Sequence, residues 1–209
     1  MAYAVKETYY TLQGEGAQAG RAAVFCRFSG CNLWSGLEKD RAEAACRFCD
    51  TDFRGTDGPG GGRFSTAESL AAHVAALWPG GGRPYVVFTG GEPALQLDEA
   101  LVSECQVRGI EVGIETNGTR PLPRGIDWVC VSPKPRCDLL VRRGQELKLV
   151  FPQPEFDPDA FEQLDFQHHF LQPMDGPTRD ANTALAVAYC RAHPRWRLSL
   201  QTHKLLGIP

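Results

Sequence analysis

Runs of apolar residues recur along this chain, and most end in a polar or glycine-rich turn, which restricts the folds open to it. The runs are Ala23–Phe28, Tyr85–Thr89, Ile110–Glu115, Trp128–Ser132, Glu146–Phe151, His169–Leu171 and Arg197–Gln201. Such runs suit parallel strands covered on both faces. Helical periodicity near Thr66–Trp78, Leu97–Arg108, Pro158–Leu164 and Arg179–Ala192 separates several of them. Ser65 and Glu68 have capping-box spacing, and Gly109 stops the second helical segment. Eight strand–helix repeats take about 250 residues, and this chain has 209. The expectation is one α/β domain over residues 1–209: an incomplete, partly open (β/α) barrel of mostly parallel strands, with some helices shortened or missing.

In a parallel sheet the C-terminal strand ends share one face, where sites are built. Ser29-Gly30-Cys31, Gly90-Gly91-Glu92-Pro93, Thr116-Asn117-Gly118, Pro133-Lys134 and Gln172-Pro173-Met174-Asp175 therefore converge. Asp57–Arg63, with its glycine run, and Pro79–Arg83 read as surface loops.

A net charge of −3 leaves no basic footprint for nucleic acid. No apolar stretch approaches the ~18 residues of a membrane span. Met1–Gly16 is polar and tyrosine-rich, unlike a signal peptide. The cytoplasm is the expected compartment, so the eight cysteines read as buried thiols or metal ligands rather than disulfides. Cys105 and Cys190 lie in helical patterns and Cys130 in a strand; with Cys137 they read as ordinary thiols.

Cys31, Cys46 and Cys49 differ: fourteen residues separate the first two and two separate the last. A C-x-x-C pair joined by a thiolate from a strand end can hold one metal or cluster. Structural zinc wants four ligands; Val24–Arg63 contains no histidine, and its only other cysteine is Cys26, inside a strand. Spacing alone leaves an iron–sulfur cluster, zinc and three unrelated thiols all open. A [4Fe-4S] cluster on three thiolates keeps one iron open to S-adenosylmethionine (SAM), whose reductive cleavage yields a 5′-deoxyadenosyl radical. Thr89-Gly90-Gly91-Glu92-Pro93 follows a strand; it reads either as a tight turn or as a close approach to a ligand, with Glu92 accepting from an ammonium. Arg27 is unusual in a core strand and needs an anionic partner: a ligand carboxylate, or Glu7 or Glu15.

These motifs together resemble the 7-carboxy-7-deazaguanine synthase family of radical SAM enzymes. The resemblance runs nearly end to end. It rests on Tyr10-Thr11-Leu12-Gln13-Gly14-Glu15-Gly16, Arg27–Leu33, Cys46–Thr51, the Thr89–Pro93 turn, Glu115–Gly118, Ser132–Lys134, Gln172–Asp175 and Gln201–Lys204. Radical SAM enzymes usually space their cysteines C-x-x-x-C-x-x-C, and the long first gap is a departure that this family shares. The resemblance implies a radical SAM partial barrel that converts 6-carboxy-5,6,7,8-tetrahydropterin into 7-carboxy-7-deazaguanine with loss of ammonia. Hydrogen is abstracted at C6, the ring contracts, and SAM is used catalytically, in the queuosine pathway.

It implies the [4Fe-4S] cluster on Cys31, Cys46 and Cys49. It implies a SAM site on Phe48, Cys49, Asp50, Gly91, Glu92, Ser132, Pro133, Lys134, Gln172, Pro173, Met174 and Asp175. The pterin would meet Leu12, Gln13, Gly14, Arg27, Thr89 and the Pro209 carboxylate, with His203 and Lys204 nearby. Mg²⁺ would take the Thr51 hydroxyl, with Asp50 and Asp52 as competitors. A homodimer and an external electron donor of flavodoxin or ferredoxin type complete the expectation.

Adjacent His168 and His169 point to opposite strand faces and read as structural. Arg142-Arg143 reads as a solvated turn, and Asn32–Ala45 as a small helical excursion over the cluster. The rivals are a glycyl-radical-activating enzyme and a zinc-stabilised binding module.

Overall fold

The computed structural model describes residues Ala2–Pro209. Its strands are β1 (Tyr3–Leu12), β2 (Ala22–Phe28), β3 (Gly62–Phe64), β4 (Tyr85–Gly90), β5 (Glu111–Thr116), β6 (Trp128–Val131), β7 (Arg143–Phe151), β8 (Asp165–Pro173) and β9 (Trp196–Leu198). The helices are α1 (Ala67–Ala76), α2 (Glu99–Val107), α3 (Arg179–Ala192) and α4 (Thr202–Leu206). One sheet holds all nine strands in the order β3-β1-β2-β4-β5-β6-β7-β8-β9. From β2 to β9 every pairing is parallel; β1 runs antiparallel to β2 and β3. The sheet stays open, and no helix covers the β5–β6 and β6–β7 connections.

Two strands lie outside the apolar runs. β1 is rich in β-branched and aromatic residues, which favour a pleated surface, but its Lys6 and Thr8 are buried polar residues. Its register with β2 shifts between Val5 and Glu7, the mark of a bulge. Asp57–Arg63 is not a loose loop. Gly58 N–H donates to the Lys6 carbonyl at 3.0 Å, and Thr8 N–H donates to the Pro59 carbonyl at 2.8 Å. A Cβ on Gly61 would sit 2.2 Å from the Lys6 carbonyl oxygen, so the glycine run lets two backbones touch. It leads straight into β3.

α1 is capped by Thr66 with Ser69 reciprocating, one residue later than the expected Ser65 box. Pro158–Leu164 forms only a short 3-10 turn, Pro158–Phe161, because the chain from Asp165 is drawn into β8. β8 is consequently nine residues long rather than three.

Strand alternation sorts the side chains. Val24, Phe28, Val86, Phe88, Val112 and Ile114 pack outward on α1 and α2 residues such as Leu70, Val74 and Leu101. Leu147, Leu149 and Leu171 pack with Ala186 of α3 and with Trp196. Each such fully buried side chain contributes about 1.5–3 kcal/mol. The intervening residues face the concave side, and many are polar: Arg27, Thr89, Glu115, Lys148 and Gln172. The strands therefore build a core on one face and a lined cavity on the other.

Candidate active site

The cavity holds about 390 Å³, within the range of small-molecule sites. Cys31, Cys46 and Cys49 share one wall of it. Cys31 follows β2, and the other two close the excursion that begins at Asn32, whose only helical part is the 3-10 turn Glu38–Glu43. Trp34, Ala44 and Phe53 form a small apolar cluster against which Cys31 and Cys49 pack. The Arg41 guanidinium stacks over Trp34 at 4.1 Å and donates to the carbonyls of Arg47 and Cys49 at 2.9 and 3.0 Å, tying the excursion shut. The Cys46 thiol hydrogen-bonds Cys49, pulling Cys49 down to about 6 and pushing Cys46 up. Among the described residues no group of three His, Cys, Asp or Glu side chains is gathered to hold a single metal ion. Three thiols on one wall, none joined in a disulfide, are the donor set that a [4Fe-4S] cluster with one open iron takes.

The paired glycines are dictated by close backbone approach to the end of β2, Gly90 at Phe28 and Gly91 at Gly30 and Cys31. Gly90 has φ +136°, and a Cβ on Gly91 would lie 2.2 Å from the Gly30 carbonyl and 2.7 Å from Cys31 Cβ. Glu92 N–H also donates to that carbonyl, at 3.0 Å. The Glu92 side chain, expected at the ligand, does not line the cavity. It is fully buried and accepts from Ala94 N–H (2.9 Å), Thr116 Oγ1 (2.6 Å) and Asn117 N–H (2.7 Å). Burial raises its carboxyl despite those donors. Glu92 is a strut joining the β4 and β5 strand ends.

Pro133 also stands outside the lining, while its neighbours Ser132 and Lys134 contribute to it. Lys134 Nζ donates to Ser132 Oγ at 2.7 Å and lies 5.9 Å from the Phe48 ring centroid. The remaining expected residues meet in this cavity: Leu12, Gln13, Gly14, Arg27, Phe48, Asp50, Thr51, Thr89, Gly91, Gln172, Pro173, Met174, Asp175 and Pro209. His203 and Lys204 line it too.

Arg27 already has an internal partner: its Nε donates to Glu7 at 2.7 Å and its Nη2 to the Tyr9 hydroxyl at 3.0 Å. Asp52 is held by Lys6 at 2.9 Å, and Lys6 also holds Asp57 at 2.9 Å. The floor carries a charged network that the sequence reading missed. Lys148, buried in β7, pairs with Glu15 and approaches Glu115 at 3.5 Å; Gln13 donates to Glu115 at 2.8 Å, and Gln201 to Glu15 at 3.0 Å. Burial opposes charge on both members of the Lys148–Glu15 pair. The two acids nonetheless hold Lys148 well above its ordinary value, and Lys148 holds Glu15 down, to about 2. The signal for it was a lysine set among the apolar residues Leu147, Leu149 and Val150 of β7.

A family model described as the Radical SAM superfamily matches residues 41–150. A 7-carboxy-7-deazaguanine synthase from Bordetella pertussis is 66% identical, and one from Caulobacter vibrioides 63%, each over the whole of both chains. The crystal structure of QueE from Escherichia coli superposes with a TM-score of 0.68 at 28% identity, covering 96% of this chain and 94% of that one. This chain belongs to the 7-carboxy-7-deazaguanine synthase family. It is thus a radical SAM enzyme that uses a [4Fe-4S] cluster and SAM, which sets aside the activating-enzyme and zinc-module readings. The three-thiol wall and the polar strand ends beside it suit those two groups.

Proposed function

We propose that this chain converts 6-carboxy-5,6,7,8-tetrahydropterin to 7-carboxy-7-deazaguanine, releasing ammonia, within this one cavity. The observation that carries the reading is that the cysteine wall and the cluster of Gln13, Arg27 and Thr89 line the same cavity. Cluster and SAM together would supply a carbon-centred radical for hydrogen abstraction at C6. The protein's part is placement. Cys31, Cys46 and Cys49 hold the cluster. Phe48, Asp50, Gly91, Ser132, Lys134 and Gln172–Asp175 bind SAM, while Glu92 and Pro133 support that site from behind.

Arg27 takes the pterin carboxylate: its bonds to Glu7 and Tyr9 use Nε and Nη2, so Nη1 stays available. Glu7 and Tyr9 then fix the guanidinium plane. Gln13, Thr89 and the backbone of Leu12–Gly14 read the ring's amide and amine edges, and Pro209 borders the same space. Thr51 offers its hydroxyl to Mg²⁺, which otherwise keeps substrate oxygens and water. Asp52 is committed to Lys6, and Asp50 to Lys204, which favours Thr51 over either acid.

Residues 1–209 act as one domain, because a single sheet supplies both walls. The electron donor is of flavodoxin or ferredoxin type. The protein works as a homodimer, a reading supported by exposed Leu12, Leu205 and Leu206. Eight unpaired cysteines support a reducing, cytoplasmic setting. Among the described residues no helix is long and apolar enough to cross a membrane.

The test is anaerobic reconstitution with iron and sulfide, then incubation with SAM, dithionite, Mg²⁺ and the pterin. Formation of the deazapurine with little net SAM loss is expected. SAM cleavage with the pterin untouched would overturn the substrate assignment.

A further inference from the structure

Lys204 stands apart from the groups assigned above. It belongs to α4, in the segment that follows β9 and lines one side of the cavity through Gln201, His203, Lys204 and Pro209. Both ends of that segment are pinned to the N-terminal hairpin: Thr202 N–H and Oγ1 donate to the Gly14 carbonyl, at 3.0 and 2.8 Å, and Thr11 Oγ1 donates to the Pro209 carbonyl at 2.8 Å. Between them the attachment is ionic. Lys204 Nζ lies 2.6 Å from Asp50 Oδ2 and 2.6 Å from Asp175 Oδ2. Gln201, one turn back, reaches the same Asp50 oxygen at 3.5 Å and Glu15 at 3.0 Å.

The two carboxylates come from separate parts of the chain. Asp50 follows Cys49 in the cysteine excursion, and Asp175 follows the end of β8. Lys204 thus ties the strap to two walls of the cavity. Both ion pairs use Oδ2, so each carboxylate keeps a second oxygen for another donor.

We propose that Lys204 is a positioning residue that latches the Gln201–Pro209 strap onto Asp50 and Asp175, so that closure over the pterin side and occupancy of the SAM side favour each other. The coupling rests on the assignment of Asp50 and Asp175 to SAM made above; the latch does not. A SAM that fixes the two carboxylates prepares the seat for Lys204. A seated Lys204 neutralises two adjacent acids that would otherwise repel and splay. Linkage makes the effect reciprocal: closing the strap tightens SAM, and binding SAM slows the strap's opening.

The test is hydrogen exchange of backbone amides 201–209 in the anaerobically reconstituted protein, without reductant, with and without SAM. In Lys204→Met, exchange at Thr202, at Ile208 and at the substituted position itself should accelerate about threefold to tenfold, the scale that two exposed ion pairs support, with β4 and β5 amides unchanged. Lys204→Arg should retain most of the protection. SAM should slow strap exchange in the unmodified protein and fail to do so in Lys204→Met. Unaltered strap exchange in Lys204→Met overturns the latch. Faster strap exchange that SAM still slows as before overturns the coupling through Lys204. Neither outcome depends on pterin turnover, so a wrong substrate assignment is detected separately. Should Lys204→Met accelerate exchange throughout the chain, a folding defect, the unmodified protein decides in its place. Strap exchange that quickens as sodium chloride is raised, with β4 and β5 amides unchanged, then supports the ionic latch; strap exchange indifferent to salt overturns it.

Discussion

Two charged side chains, Arg27 half-buried and Glu92 fully buried, show how a residue's partners decide its role. Arg27 keeps its position through Glu7 and Tyr9, and its substitution separates charge from shape. Arg27→Lys preserves the cation but loses the planar fork. The KM for the pterin should rise about tenfold to a hundredfold, as for a hydrogen bond to a charged group, while kcat changes less; steady-state kinetics decide, and an unchanged KM would remove Arg27 from the site. Glu92 makes the opposite case. Glu92→Gln places an amide donor among three groups that all donate, so stability should fall by about 1–3 kcal/mol. Denaturant titration checks this, and normal stability with SAM binding lost would return Glu92 to the role of direct ligand.

At the scale of elements, glycines report where backbones must touch. Gly91→Ala drives a methyl against the Gly30 carbonyl and Cys31, so the cysteine turn should shift and iron uptake on reconstitution should drop, read as absorbance and iron per chain. Gly80→Ala meets no atom within 4 Å but has φ +102°, and should cost only about 1 kcal/mol of backbone strain with iron uptake intact. β4 through β7 were legible in the sequence because their outward faces are apolar and their ends are punctuated by turn residues. β1 was not, since Lys6 and Thr8 are buried by Asp57 and Gly60, some fifty positions away. The same physics hid part of the site. The cysteines and Arg27 could be read locally and Gln13 only through the family resemblance, whereas Lys148 and the strut role of Glu92 depend on partners from other strands.

Over the whole molecule, charge inside the cavity ties stability to pH. Glu15 lies below its ordinary carboxylate value because of Lys148, at about 2. Its contribution is therefore complete above the unfolded value of about 4.3 and is lost as pH falls towards about 2. Glu146 is raised by burial, so its contribution is present at low pH and declines as pH rises past the ordinary carboxylate value. Glu15→Gln should flatten the acid limb of a stability-against-pH curve measured by urea unfolding; an unchanged limb would show that the Lys148 pair is not what acid breaks.

An open sheet has two rims, and here both are very short: β3 and β9 have three residues each. Unpaired strand edges are templates for adding foreign strands and for fibre growth. By ending on such stubs, the fold can leave its barrel unclosed, with room for a ligand from the side, and still offer little for another chain to polymerise upon.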